Sequence, residues 1–160
     1  MSEDLQVAQG SKEEQYRALL PQVQAILDGE TDAIAAMANV AAALKEQFGW
    51  LWVGFYRAIG SELILGPFQG PVACIRIQKG QGVCGQAWQQ QQNIIVPDVN
   101  QFPGHIACSS LSQSEIVLPI IRNGKTIAVF DADHTELNNF DEIDEHWLQK
   151  MIDLLPAGVM

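Results

Sequence analysis

No stretch of the 160 residues approaches the roughly 20 consecutive apolar residues that a bilayer-spanning helix needs. The opening segment, Met1 to Gly10, is acidic and polar, with no basic start followed by an apolar run, so it does not read as a secretory leader. Basic residues are scarce: 9 Lys and Arg stand against 19 Asp and Glu, a formal net charge of −10. Such a chain repels phosphate backbones and anionic lipid, which argues against nucleic acid and membrane as partners. No glycine-rich phosphate loop follows a strand-like run, so nucleotide chemistry is not indicated. Internal repeats are absent, and the short run Gln89 to Gln92 reads as a solvated helix end or loop. What remains is a soluble, cytoplasmic chain long enough for one well-filled core.

Cysteine is sparse too. An odd number, three, behind no secretory leader argues against a secreted disulfide scaffold. Cys74, Cys84 and Cys108 fall in loops or at breaks rather than inside apolar periods, which weakens the reading of each as a buried, inert thiol. No pair has the close spacing usual in zinc sites, although the three cysteines and His105 could converge on one; no metal is expected. If two of the cysteine loops meet, a nucleophilic thiol and a resolving thiol become possible. His105, three residues before Cys108, could tune that thiol, but a loop-capping hydrogen bond is the plainer expectation.

The apolar spacing predicts helices over Ser11 to Leu27, with Ser11 and Glu14 as a capping box and Pro21 as a possible bend, and over Asp32 to Gln47. The second carries a small-residue face at Ile34, Met37, Ala38, Ala41, Ala42 and Leu44. After Gly49 the period shortens. Strands are expected over Trp50 to Arg57, Glu62 to Phe68 and Ile94 to Val96, with a short helix over Gly85 to Gln90. Val99 to Ser114 has neither period and reads as a long loop, a kind of segment that is usually functional in a compact domain. Ile116 to Ile121 and Thr126 to Asp131 form a hairpin around Asn123-Gly124. Asp141 to Leu155 is a last helix, its apolar face Ile143, Trp147, Leu148, Met151, Ile152 and Leu155. Strands joined by hairpins with helices at the ends predict an α+β fold with an antiparallel sheet.

Three acids stand out. Glu115 starts an apolar strand. Asp131 and Asp133 alternate with Ala132, so both should project from one face. Carboxylates held together repel, and one can keep a proton near neutral pH. Trp50, Trp52 and Tyr56 share a strand parity, which suits either core packing or an aromatic wall around a small apolar group.

The stretches GPFQGPVAC, GQGVCGQA, VPDVNQFPGHIAC, SEIVLPI and FDADH, in this order, resemble the free methionine-(R)-sulfoxide reductases, enzymes built on a GAF domain. The resemblance runs from about Glu13 to Leu155, leaving residues 1–12 as an N-terminal extension and Pro156 to Met160 as a tail. It implies a single GAF-like domain, an antiparallel sheet flanked by helices. It implies Cys108 as nucleophile, Cys74 as resolving thiol and Cys84 as an auxiliary thiol. Glu115, Asp131 and Asp133 would line the substrate site, with Trp52 and Tyr56 beside the substrate's S-methyl group. It further implies no bound cofactor, thioredoxin as the external dithiol, and a homodimer, with which the alanine-lined second helix is compatible. One departure is Ser109, where the family often has an acid after the nucleophile. The competing expectations are a non-catalytic GAF module that binds a small ligand and a thiol redox sensor.

Overall fold

Ser11 opens the first helix. Its side chain accepts the Glu14 backbone N–H, while the Glu14 side chain reaches back to the Ser11 N–H, so two donors that a helix start leaves unpaired are both satisfied. The computed structural model describes residues 4–106 and 108–156; the first three residues, Ala107 of the long loop and Ala157 to Met160 of the expected tail lie outside the described residues. Helix α1 (Lys12–Leu27) runs through Pro21 as one element. Helix α2 (Ala33–Phe48) is capped by Asp32, which accepts the Ala35 N–H, and is closed by Gly49 in the left-handed region at φ 66°.

The buried face of α2 differs from the expected one. It is Ala33, Ala36, Met37, Val40, Ala41, Ala43 and Leu44, while Ile34 is 45% exposed and Ala38 points outward. With alanine on nearly every side, the apolar stripe has no sharp edge to read. This face packs within the chain, against strands β1 (Trp52–Ile59) and β2 (Glu62–Gln69). The small-residue stripe therefore serves the core and gives no support to a homodimer.

The remaining elements are β3 (Arg76–Gln78), α3 (Gly82–Gln90), β4 (Ile94–Val96), β5 (Ser114–Arg122), β6 (Lys125–His134) and α4 (Glu142–Ile152). A single 3₁₀ turn, Val99–Gln101, interrupts the long loop. The six strands form one sheet in the order β3-β2-β1-β6-β5-β4, every neighbouring pair antiparallel. Strand β3 has no counterpart among the expected elements, because Arg76-Ile77-Gln78 carries a single apolar residue and sits at the sheet edge.

The sheet has two differently used faces. One carries Val53, Phe55, Ile116, Leu118, Ile120, Ala128, Phe130 and Ala132 into a core with α1, α2 and α4. The opposite face carries Trp52, Tyr56, Val117 and Val129 against Val83, Cys84, Ala87 and Trp88 of α3. Trp50 does not join Trp52 and Tyr56 as its parity suggested. The strand begins only at Trp52, and Trp50 turns into the helical core, stacked on Phe48 at 4.8 Å and edge-on to Phe140 at 5.1 Å. Met37 and Trp147 are core, as expected.

Helix α4 buries a carboxylate among its apolar residues. Asp144 is 1% exposed and accepts from Lys12 Nζ at 2.6 Å, Tyr16 Oη at 2.5 Å and the Asp141 backbone N–H at 2.9 Å. The apolar spacing put Ile143 on the inner face, but the structure places Asp144 there and leaves Ile143 at the surface. Asp144 thereby ties the first and last helices together. Asp144→Ala leaves the Lys12 ammonium and Tyr16 hydroxyl without their partner, so unfolding free energy should fall by about 3 kcal/mol in urea titration. A loss under about 1 kcal/mol would mean that water replaces the carboxylate at little cost.

Candidate functional site

The β5–β6 hairpin sets the chemistry of the second face. Its register pairs Glu115 with Asp133 and Val117 with Asp131. Cross-strand partners share a face, and residues two apart on one strand share it too. Glu115, Asp131 and Asp133 therefore project together into one cavity, which is also lined by Trp52, Tyr56, Cys84, Cys108 and Ser112.

Helix α3 supplies the opposite wall. Gly85 allows its first turn to lie on the end of β3: a Cβ there would come within 2.6 Å of the Gln78 carbonyl oxygen. This contact presents Cys84 to the cavity. The break around Cys84 suggested an accessible loop thiol, but the residue is helical and 4% exposed. Glycines at 82 and 85 look like a break in the sequence, whereas here they permit close packing at a helix start.

Strand β1 supplies the aromatic wall. Trp52 stacks on Tyr56 at 5.9 Å and on Phe68 at 5.2 Å between ring centroids. Gly54 makes this possible, since a Cβ at that position would sit 2.3 Å from the Phe68 Cβ. Tyr56 Oη donates to the Cys74 carbonyl oxygen at 2.9 Å, so the wall also anchors the loop that carries Cys74.

The two long loops meet above these walls. Cys74 and Cys108 are joined by a disulfide, with their Cα atoms 5.6 Å apart, while Cys84 remains a free thiol. Of the bridged pair, Cys108 is exposed and Cys74 half-buried. The three cysteines and His105 do not assemble as a zinc set here. The described groups close enough to share a cation are Cys84, Glu115 and Asp131, whose donor atoms lie within 4.8 Å of one another.

Electrostatically the cavity favours protons. Burial, with the Asp133 charge in second place, lifts the Glu115 carboxyl to about 8. Burial first, and then the neighbouring carboxylate, pushes Asp131 and Asp133 well above the usual carboxylate range. Burial also raises the Cys84 thiol and the Tyr56 phenol, so both stay neutral. His105 also lines the cavity. Its Nε2 stands 3.6 Å from Glu115 Oε1, and burial lowers its pKa. Asp131 Oδ1 and Trp52 Nε1 are buried without a hydrogen-bond partner, one an acceptor and one a donor. Orphaned groups of this kind commonly mark a place prepared for something else.

Ser112 was not singled out in the sequence, yet its Oγ donates to Asp133 Oδ1 at 2.9 Å. No local signal distinguishes it from Ser109, Ser110 and Ser114. Ser109 also lines the cavity, and its Oγ accepts the Leu111 N–H at 3.2 Å.

The GAF domain family matches residues 29–155. GAF domain-containing protein A of Dictyostelium discoideum is 61% identical over 97% of this chain and 99% of its own length. A Saccharomyces cerevisiae protein named free methionine-R-sulfoxide reductase is 43% identical, over 91% of this chain and 86% of its own. The X-ray structure of the Neisseria meningitidis free methionine-R-sulfoxide reductase with its substrate superposes with a TM-score of 0.94. It is 49% identical and covers 96% of this chain and 93% of that one.

Proposed function

This chain belongs to the GAF-domain family and, within it, to the free methionine-R-sulfoxide reductases, and from that premise we propose that it reduces free methionine-(R)-sulfoxide to methionine at the cavity between α3 and the β5–β6 hairpin. One observation carries the reading: Cys108, bridged to Cys74 of the neighbouring loop, lines the same cavity as a cluster of proton-holding carboxyls.

The chemistry needs both. A sulfoxide oxygen leaves only once it is protonated or strongly hydrogen-bonded. Glu115, held neutral to about 8, is the acid for that step. In the reduced enzyme the Cys108 thiolate attacks the sulfoxide sulfur, the oxygen passes to Cys108 as a sulfenic acid, and methionine departs. The Cys74 thiol then attacks the sulfenic sulfur. An S–S bond forms, the S–O bond breaks, and water leaves. An external dithiol, thioredoxin, exchanges with the disulfide and is itself oxidised. No bound cofactor enters this sequence, since both electrons come from thiols.

Binding follows from the same groups. The substrate's ammonium is a donor for the unpartnered Asp131 Oδ1 and for Asp133. The S-methyl group lies against Trp52 and Tyr56. Loop N–H groups hold the substrate's carboxylate. A peptide-bound residue has neither charge, which makes the free amino acid the preferred form.

The test is turnover driven by dithiothreitol, followed as methionine formed, with the free R form, the free S form and N-acetyl-methionine-(R)-sulfoxide. We expect the free R form to outpace the N-acetyl form by at least about 100-fold in kcat/KM, the worth of one desolvated charged contact. No turnover of any form by folded, reduced protein would exclude the reductase reading.

A further inference from the structure

The apolar surface around the disulfide has no role in the substrate cavity chemistry. Among the described residues, the three most exposed large apolar side chains are Val72 at 89%, Ile75 at 66% and Leu111 at 59%. Each lies within three residues of Cys74 or Cys108, the two bridged cysteines. Val72 also lines the mouth of the cavity beside Cys108. No Asp, Glu, Lys or Arg occurs from Leu63 to Ile75 or from Val99 to Ser114, the two segments that carry the bridged cysteines, in a protein of net charge −10. Solvated loops seldom avoid charge over such lengths while presenting bare aliphatic side chains.

We propose that Val72, Ile75 and Leu111 form the docking surface for a protein dithiol whose own nucleophilic thiol sits in an uncharged, apolar surround. This rests on the reading of the Cys74–Cys108 disulfide as a turnover intermediate. To reduce it, a thiolate must form a bond to one of its sulfurs, Cys108 being the more exposed, while the S–S bond breaks and the other cysteine leaves as thiolate. The partner's second thiol then attacks the mixed disulfide, releasing both cysteines reduced and the partner oxidised. A small thiol needs no surface for this. A protein must bring its own surface against the neighbourhood of the sulfurs for long enough to exchange. An acidic protein repels other acidic proteins at range, so contact with such a partner is best made where it has no charge, and aliphatic groups there gain from burial.

The experiment measures methionine formation by the full chain, driven either by dithiothreitol or by thioredoxin with its NADPH-dependent reductase. Wild type is compared with Ile75→Ser/Leu111→Ser and Ile75→Asp/Leu111→Asp. Neither residue lines the substrate cavity, so dithiothreitol-driven turnover should stay within about twofold. The KM for thioredoxin should rise about 10-fold for the serine variant and further for the aspartate one, with kcat at saturating thioredoxin little changed. An unchanged thioredoxin KM in both variants would overturn the proposal. So would light scattering showing a wild-type dimer that the serine variant converts to monomer, since a second copy would then own the surface. The rate at which thioredoxin reduces the disulfide without sulfoxide is read separately, so failure of docking and failure of the reductase reading give different results.

Discussion

Cys108→Ser will lower methionine formation by more than about 1,000-fold, whichever reductant is supplied. Serine keeps the size and the polar contact but has no accessible anion near neutral pH, so no nucleophile faces the sulfoxide sulfur. Cys74→Ser should behave differently. With pre-reduced enzyme and no added reductant, it should form about one methionine per chain, leaving a Cys108 sulfenic acid that dimedone traps and mass spectrometry counts. The contrast separates the attacking sulfur from the resolving one. Cys84 is the rival nucleophile in this cavity, but burial and the surrounding carboxyls hold its thiol neutral, which makes it a poor attacker. Retention of a tenth of wild-type activity in Cys108→Ser would move the nucleophile to Cys84.

The second large effect concerns the proton on Glu115. Glu115→Gln should cost about 100-fold or more in kcat/KM, the usual worth of a positioned general acid. The pH profile carries the sharper information. Wild-type kcat/KM should fall as pH rises through about 8, where Glu115 loses its proton, and that alkaline limb should disappear in the glutamine variant. The same proton has a stability consequence of defined sign. The folded-state value of about 8 lies above the ordinary 4.5, so between these values the folded protein binds more protons than the unfolded chain. The contribution is fully present below about 4.5 and is lost as pH climbs to about 8. Urea midpoints should therefore decline from pH 5 to pH 8 in wild type and decline less in Glu115→Gln. An alkaline limb that survives the substitution would assign the proton to another group.

Much of this architecture is written locally in the chain. Ser11 with Glu14, Asp32 and Gly49 mark helix ends through hydrogen bonds among near neighbours, and Asn123-Gly124 marks the hairpin. The shared face of Asp131 and Asp133 follows from strand parity alone. Other features depend on contacts distant in sequence, and they could not be read in the same way. Cys84 looked loop-borne because Gly85 answers to the Gln78 carbonyl and Gly82 to the Ile106 side chain and a left-handed φ, not to local chain flexibility. Trp50 left its expected face because the strand starts two residues later. Asp144 is buried only because Lys12 and Tyr16, on the far helix, meet it. Ser112 gained a place beside Asp133 through the path of a loop, for which no periodicity exists.

The alternation from Ser114 to Ile120 on β5 and from Ala128 to His134 on β6, up to the register shift beside Ile120, makes this part of the hairpin a single coded unit. Even-numbered positions from Ile116 to Ile120 and from Ala128 to Ala132 feed the helical core, and the odd-numbered Glu115, Asp131 and Asp133 feed the cavity. A one-residue insertion or deletion inside these paired runs is thus not a local lesion but an exchange of the two faces, sending carboxyls into the helical core and phenylalanine into the cavity. Length changes in this region are tolerable only beyond the last paired residues, at the Asn123-Gly124 turn. Over evolutionary time the hairpin can drift in composition within each parity class, but the lengths of the paired runs, Ser114 to Ile120 and Ala128 to His134, are held fixed by two unrelated demands at once.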